Sequence, residues 1–154
     1  MRKILMCAAL ALLPPIAPAG AQEAGCTYAR CALAIAPVWN GLDVVRGAEG
    51  RRVGGLGFFW AGDVSHAVAG NDSAVAYAVH AARVRRVAAV LTDVGALALG
   101  YVAARRLQNG SFSGVDRGVA FGGGAAVLIS VPLQFAADGL LSRSLWWFNG
   151  VFAH

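Results

Sequence analysis

The chain has little that a soluble enzyme or a nucleic-acid-binding protein depends on. Lysine occurs once, at Lys3, and glutamate twice, at Glu23 and Glu49. Charged residues make up 14% of the sequence and hydrophobic ones 58%, where soluble domains run near 25% and 45–50%. The formal charge of +5 invites a phosphate-binding reading, since clustered arginines neutralise nucleic-acid backbones. The arginines here instead flank apolar runs, where a membrane protein keeps them, so no nucleic-acid partner is expected. The scattered histidines, His66, His80 and His154, stand at no ligand spacing from the cysteines, so neither a metal nor a cofactor is expected. Catalytic motifs are missing too. No serine sits in a nucleophile signature, and no pair of carboxylates is spaced for acid–base work. The glycines at 54, 55 and 57 lack the Lys-Ser/Thr pair and helix of a phosphate loop, and read as a bulged strand. An enzyme acting at the membrane face would need His66, His80 and Asp63 or Asp72 to converge.

What is present is apolar, with a mean hydropathy of +0.60. Residues 1–21 have the form of a secretory signal peptide. Arg2 and Lys3 precede "ILMCAALALL", and Ala19-Gly20-Ala21 supplies the small-residue cleavage pattern. A lipoprotein signal at Cys26 would want an aliphatic residue where Glu23 stands. Export places Cys26 and Cys31 in an oxidising compartment, and their close spacing suits a small disulfide loop.

Residues 22–70 read as a small exported β domain. "CALAIA", "LDVVRG" and "RRVGGLGFFW" form three strands of a meander, with Asn40-Gly41 as a type I′ hairpin turn. A sheet this small needs a helix or a membrane surface to pack on. Residues 71–107 form one continuous helix, capped by Asn71, Asp72 or Ser73 and rich in alanine. Its juxtamembrane half leads into a first transmembrane span at about 87–104, which would cover about 27 Å. A polar connector, 108–117, joins it to a second span, 118–137. Pro132 should bend that span and free a carbonyl for Ser130. Residues 138–154 read as an amphipathic interfacial tail with Trp146 and Trp147 as anchors. The fold class is therefore an α-helical membrane protein, a two-helix transmembrane hairpin with a small N-terminal exported β meander, α+β overall. Its expected location is the bacterial inner membrane, with the N-terminal domain and the C-terminal tail on the exported side.

The stretch "RVRRVAAVLTDVGALALGYVAARR" (83–106) contains a carboxylate, Asp93. An aspartate at a span centre costs about 2.5 to 3.5 kcal/mol on an insertion scale. The seven strong apolar residues of this span return about 2 to 4 kcal/mol, so the span should need a partner. The second span offers one. Gly118, Gly122, Ala126 and Ser130 repeat every fourth residue, a row that lets helices approach closely. Ala89, Asp93, Ala96 and Gly100 make a comparable row on the first. Matching depths puts Asp93, protonated or hydrogen-bonded, against Ser130 and Gln134 as an intramembrane polar clasp.

The residues Gly122, Gly124, "SVPL" at 130–133 and "WWFN" at 146–149 carry a resemblance. The latter half of the chain resembles an uncharacterised group of small bacterial two-span membrane proteins with an export signal and a C-terminal Tyr/Phe-Asn tail. Phe148 stands where the tyrosine is usual, and the first span lacks the group's Gly-x-Pro-Leu-Gly and adds Asp93. The resemblance implies a two-span envelope protein and no activity. The expectation is a non-enzymatic inner-membrane protein whose exported β domain binds a partner or supports the envelope. Its partners would be the lipid bilayer and either a second copy or another envelope protein. The alternative is a small oligomeric ion or proton channel or carrier subunit using Asp93.

Overall fold

A computed structural model describes residues 26–111 and 113–152; the signal segment read at residues 1–21 lies outside them. The described chain begins in a short turn, α1 (Tyr28–Cys31). Cys26 and Cys31 lie there within disulfide-bonding distance of each other, with their α-carbons 5.8 Å apart. Three antiparallel strands follow in sequence order, β1 (Leu33–Val38), β2 (Gly41–Arg46) and β3 (Arg51–Gly57).

The first hairpin closes one residue earlier than the Asn-Gly signal suggests. Val38 pairs with Gly41, so Trp39 and Asn40 form the two-residue connection. Neither has a positive φ, which excludes the type I′ turn; Gly41 itself takes φ +148°. The reason is visible across the sheet. A Cβ at Gly41 would lie 2.2 Å from the Leu56 carbonyl oxygen, so only glycine fits where β2 meets β3. A bulge between Val44 and Val45 then shifts the second register.

After β3 the chain doubles back. Ala61 bridges Leu56, and the Gly62 amide donates to the Gly55 carbonyl at 3.1 Å. A 3₁₀ turn, Ser65–Val68, leads to α2 (Asp72–Asn109). Asn71 caps α2, its side-chain oxygen accepting from the Ala74 amide at 3.0 Å. Gly110, at φ +72°, ends it. The helix is unbroken because alanine and leucine fill it and no proline interrupts it.

The connector is shorter than the sequence suggests, because Ser113 and Asp116 form a capping box that starts α3 (Gly114–Gly150) at once. Pro132 lies inside α3 and does not end it. Ser130 donates to the Val127 carbonyl at 2.7 Å, one residue before the Leu128 carbonyl that proline leaves without a donor.

Among the described residues, 138–150 of the stretch read as an interfacial tail continue α3 and turn their apolar side inward, Leu141 and Leu145 being buried and Phe148 half-buried. They meet Leu33, Val44 and Leu56 from the sheet, Val64 and Val68 from the loop, and Ala74, Ala78 and Ala81 from α2. Asn149 secures this contact as a strand would. Its side chain accepts from the Leu33 amide at 2.9 Å and donates to the Leu33 carbonyl at 2.8 Å. The fold is thus two long apolar helices with a three-stranded antiparallel sheet packed at the end where α2 begins and α3 finishes.

Candidate functional site

Each helix is about 55 Å long at 1.5 Å per residue, and the sheet covers only one end. Along the remainder α2 and α3 have each other and no further cover among the described residues. Their contact follows a regular seam. On α3 it runs through Asp116, Ala120, Gly123, Val127, Ser130, Gln134, Ala137, Leu141, Ser144 and Phe148, all buried or half-buried. On α2 it runs through Ala74, Ala78, Ala81, Arg85, Ala88, Thr92 and Gly95. Steps of four and three alternate throughout, the 3.5-residue period of a coiled-coil seam.

Glycine makes the closest approach. A Cβ at Gly95 would lie 2.7 Å from the Gly123 carbonyl oxygen and 2.7 Å from Val127 Cγ2. One at Gly123 would meet the Ala98 Cβ at 2.9 Å. The packing row expected at Gly100, Gly118 and Gly122 faces open space, with nothing within 4 Å of a Cβ at any of the three. Ala126 is half-buried beside the seam. Every-fourth-residue spacing drifts around a helix, whereas the alternating spacing stays on the partner. The true row therefore lies one residue away.

The same shift moves the polar clasp. Thr92, not Asp93, faces the second helix. Its Oγ1 lies 2.9 Å from both the Ser130 hydroxyl and the Ala88 carbonyl, and the Gln134 amide donates to it at 3.3 Å. Ser130 and Gln134 meet the residue next to Asp93 rather than Asp93 itself. One residue turns a side chain about 100° around a helix, so Asp93 stands exposed on the outside.

The seam ends in charge at both sides. At the sheet end Arg85, 1% exposed, pairs with Asp138, while its Nε and Nη1 find no partner. Burial raises the Asp138 carboxyl above its ordinary range, and Arg85 offsets part of that rise. At the connector end Arg105 approaches Asp116 at 3.6 Å. The Ser113 hydroxyl and amide, then Arg105, hold the Asp116 carboxyl below its usual range. From Arg86 to Arg105 is about 28 Å of helix, and from Arg117 to Asp138 about 32 Å. Asp93 is the one charged residue inside those limits.

Outside the seam the helices are apolar. Val90, Leu97, Phe121, Leu128 and Phe135 are 60%, 74%, 80%, 74% and 71% exposed. Both helices are long and apolar enough to cross a membrane. Trp146 and Trp147 stack edge-to-face on the exposed side of α3, about 12 Å beyond Asp138 along the helix. They are therefore set back from the start of the charge-poor band.

Of the residues an enzyme would need, Asp63 and His66 meet at 3.4 Å. Ser65 donates its hydroxyl to the same carboxylate, not to the imidazole, so no nucleophile–base pair forms. His80 and Asp72 are exposed along α2, and no group of three metal-ligating side chains assembles among the described residues. Thr92, Gly95, Gly123 and Asp138 escaped the sequence reading, and Arg85 and Asn149 stood in it without these partners. The alternating apolar and small positions of α3 were the signal that could have found the seam. Comparison with known proteins adds no relative: no family model, curated protein or solved structure matches the chain.

Proposed function

We propose that this chain is a non-enzymatic two-span protein of the bacterial inner membrane, whose hairpin holds the sheet domain and the end of α3 at the exported surface. The observation that carries the reading is the coincidence of the two charge-poor bands. Antiparallel packing sets them side by side at one level, each close to the roughly 30 Å of a bilayer's hydrocarbon. Thr92, Ser130 and Gln134, within the band, are turned inward and bonded to one another, as hydrocarbon favours. The signal-like start of the sequence supports the exported orientation. The role that follows is display: a small disulfide-closed β domain for binding an envelope partner or supporting the envelope.

Extraction and topology test this. Membranes containing the protein are washed with alkaline carbonate, and a phosphatase active only outside the cytoplasm is fused after His154. Retention with an active fusion supports the proposal. Release by carbonate or an inactive fusion refutes it.

The second reading, a self-associating subunit that handles ions or protons, is favoured by one observation. Asp93 lies within the band and faces away from α3, where lipid would leave it unpartnered at a cost of kilocalories. Crosslinking of wild type against Asp93→Asn and Asp93→Leu separates the roles. A clasp between copies survives Asn and fails with Leu. An ion site keeps its assembly in both while Asn abolishes liposome proton or cation flux.

A further inference from the structure

The outer sides of the two helices differ in one group. On α3 the line facing away from the seam inside the charge-poor band runs through Phe121, Ala125, Leu128, Pro132 and Phe135, all exposed and all apolar. The corresponding line on α2 is Val90, Asp93, Leu97, Gly100 and Ala104, likewise exposed. Among the described residues the Asp93 carboxyl has no hydrogen-bond or ion-pair partner. It lies about 10 Å beyond Arg86 along the helix, well inside the band. Intramembrane acids are rare, and where they occur they pair with one another, with backbone carbonyls or with a polar interior. No such interior is within reach of the outer side of α2, because the seam lies on the other side.

The chemistry of this line says what would cover it. Its steps alternate three and four, so it stays on one side of α2 for about 21 Å and suits a single parallel helix. A Cβ at Gly100 would meet nothing within 4 Å, which leaves room for a second backbone to come close. The polar group at its centre is self-complementary. A carboxylic acid carries one O–H donor and one carbonyl acceptor, so two of them facing across a two-fold axis satisfy each other. A copy inserted in the same sense brings its own Asp93 to the same depth. It brings no lysine, arginine or histidine there, because Asp93 is the one charged residue of the band and no histidine lies in it.

We infer that the outer side of α2 packs against the same side of a second copy of this chain, in parallel, with the two Asp93 carboxyls bonded to each other across the two-fold axis. The inference rests on the membrane-spanning reading of α2 and α3, and it gives self-association there a face, a direction and a partner. The contact is isologous, each residue of the line meeting its own equivalent or a neighbour of it. A single polar pair within an otherwise apolar seam also fixes the register of the two helices. At the exported end the contact stops at Arg86, exposed on the same line, where two guanidinium groups would repel and turn to the headgroups. Lipid is left to the outer side of α3.

The test is cysteine crosslinking of the whole protein in membranes. Leu97→Cys and Leu128→Cys are made at positions each 74% exposed, so the fold should tolerate both. One lies next to Asp93 on the proposed face and the other on the outer side of α3. Wild type reports the background from Cys26 and Cys31. Under a membrane-permeant oxidant, Leu97→Cys is expected to give a disulfide-linked dimer and Leu128→Cys no more than background. Equal yields, a larger yield from Leu128→Cys, or no dimer from either would overturn the inference, and resistance to carbonate would leave the hairpin reading intact. Release of the protein by carbonate would overturn both. A second substitution in the Leu97→Cys chain tests the carboxyl pair. Asp93→Leu should lower the dimer yield about threefold or more, whereas Asp93→Asn, whose amide also carries a donor and an acceptor, should keep it. A yield unchanged by Asp93→Leu would again overturn the inference.

Discussion

Replacing Gly95 and Gly100 by alanine, one at a time, tests which face of α2 meets α3. The two glycines lie on the same helix and within the same band, so the gain in helix propensity, about 1 kcal/mol for each, cancels in the comparison. Their surroundings differ. A methyl at Gly95 would lie 2.7 Å from the Gly123 carbonyl oxygen and 3.2 Å from the Val127 amide nitrogen. Both are backbone atoms and neither can rotate away, so the helices must move apart. A methyl at Gly100 meets nothing within 4 Å. Overpacking of this kind costs about 1 to 3 kcal/mol, and separation would also lengthen the bonds of Thr92 to Ser130 and Gln134. Gly95→Ala should therefore be less stable than Gly100→Ala by about 1 to 3 kcal/mol, which is roughly five- to 150-fold in the unfolding equilibrium. The assay is reversible unfolding in mixed detergent micelles, followed by tryptophan emission. Gly123→Ala against Gly122→Ala repeats the comparison on α3, because a Cβ at Gly122 also meets open space. Equal stability within either pair, or the larger loss at Gly100 and Gly122, would refute the seam.

Thr92→Val removes the hydroxyl shared by Ser130 and Gln134 and should cost about 0.6 to 1.7 kcal/mol in the same assay. Asp93→Asn, one residue away and facing out, should leave monomer stability unchanged. Asn149→Leu abolishes both hydrogen bonds to Leu33 and should destabilise the sheet contact by about 1 to 3 kcal/mol, read as faster amide exchange at Leu33 while α2 and α3 stay protected. Asp63 gives a pH dependence. The Ser65 hydroxyl and then the Ser65 amide hold its carboxyl below the ordinary aspartate value. Its folded form therefore gains stability above that value, and the gain is lost as pH falls through the folded pKa. The loop next to Trp60 should loosen as pH falls below about 4, a change that tryptophan emission would follow.

The architecture was largely legible because its signals are long. Thirty-eight residues of α2 without a breaker, and a glycine-rich apolar stretch after a polar turn, leave few alternatives to paired helices. The three strands showed through their turn residues, although the Asn40-Gly41 signal misplaced the first turn, since Gly41 is needed for its approach to Leu56 and not for the turn. What stayed hidden is azimuthal. In a helix that is apolar on every side, hydrophobicity does not mark the buried face. The choice between Gly122 and Gly123, or Asp93 and Thr92, then rests on a single residue step. The tail was misread for the opposite reason. Leu141, Leu145 and Phe148 do form an apolar stripe, and a stripe shows only that something covers it. Here the cover is the sheet, which the membrane surface resembles in sequence terms.

The outward placement of Asp93 bears on how the proposed hairpin could persist in a bilayer. The outer side of α3 carries Phe121, Leu128 and Phe135, all more than 70% exposed, a surface suited to lipid tails. The outer side of α2 carries Val90, Asp93, Leu97 and Gly100, with an open space at the glycine. An unpaired aspartate there would cost about as much as the apolar residues of its own span return, so α2 against lipid is near break-even, whereas α3 is not. Pairing the carboxylic acid across a contact on α2 would relieve that cost, and the smooth surface at Gly100 would let a second helix come close. The proposed assembly thus follows from the difference between the two outer faces: lipid against α3, and a neighbouring helix against α2. The hairpin would then hold each copy at one depth, which is the condition for Asp93 residues of neighbouring copies to meet at a common level.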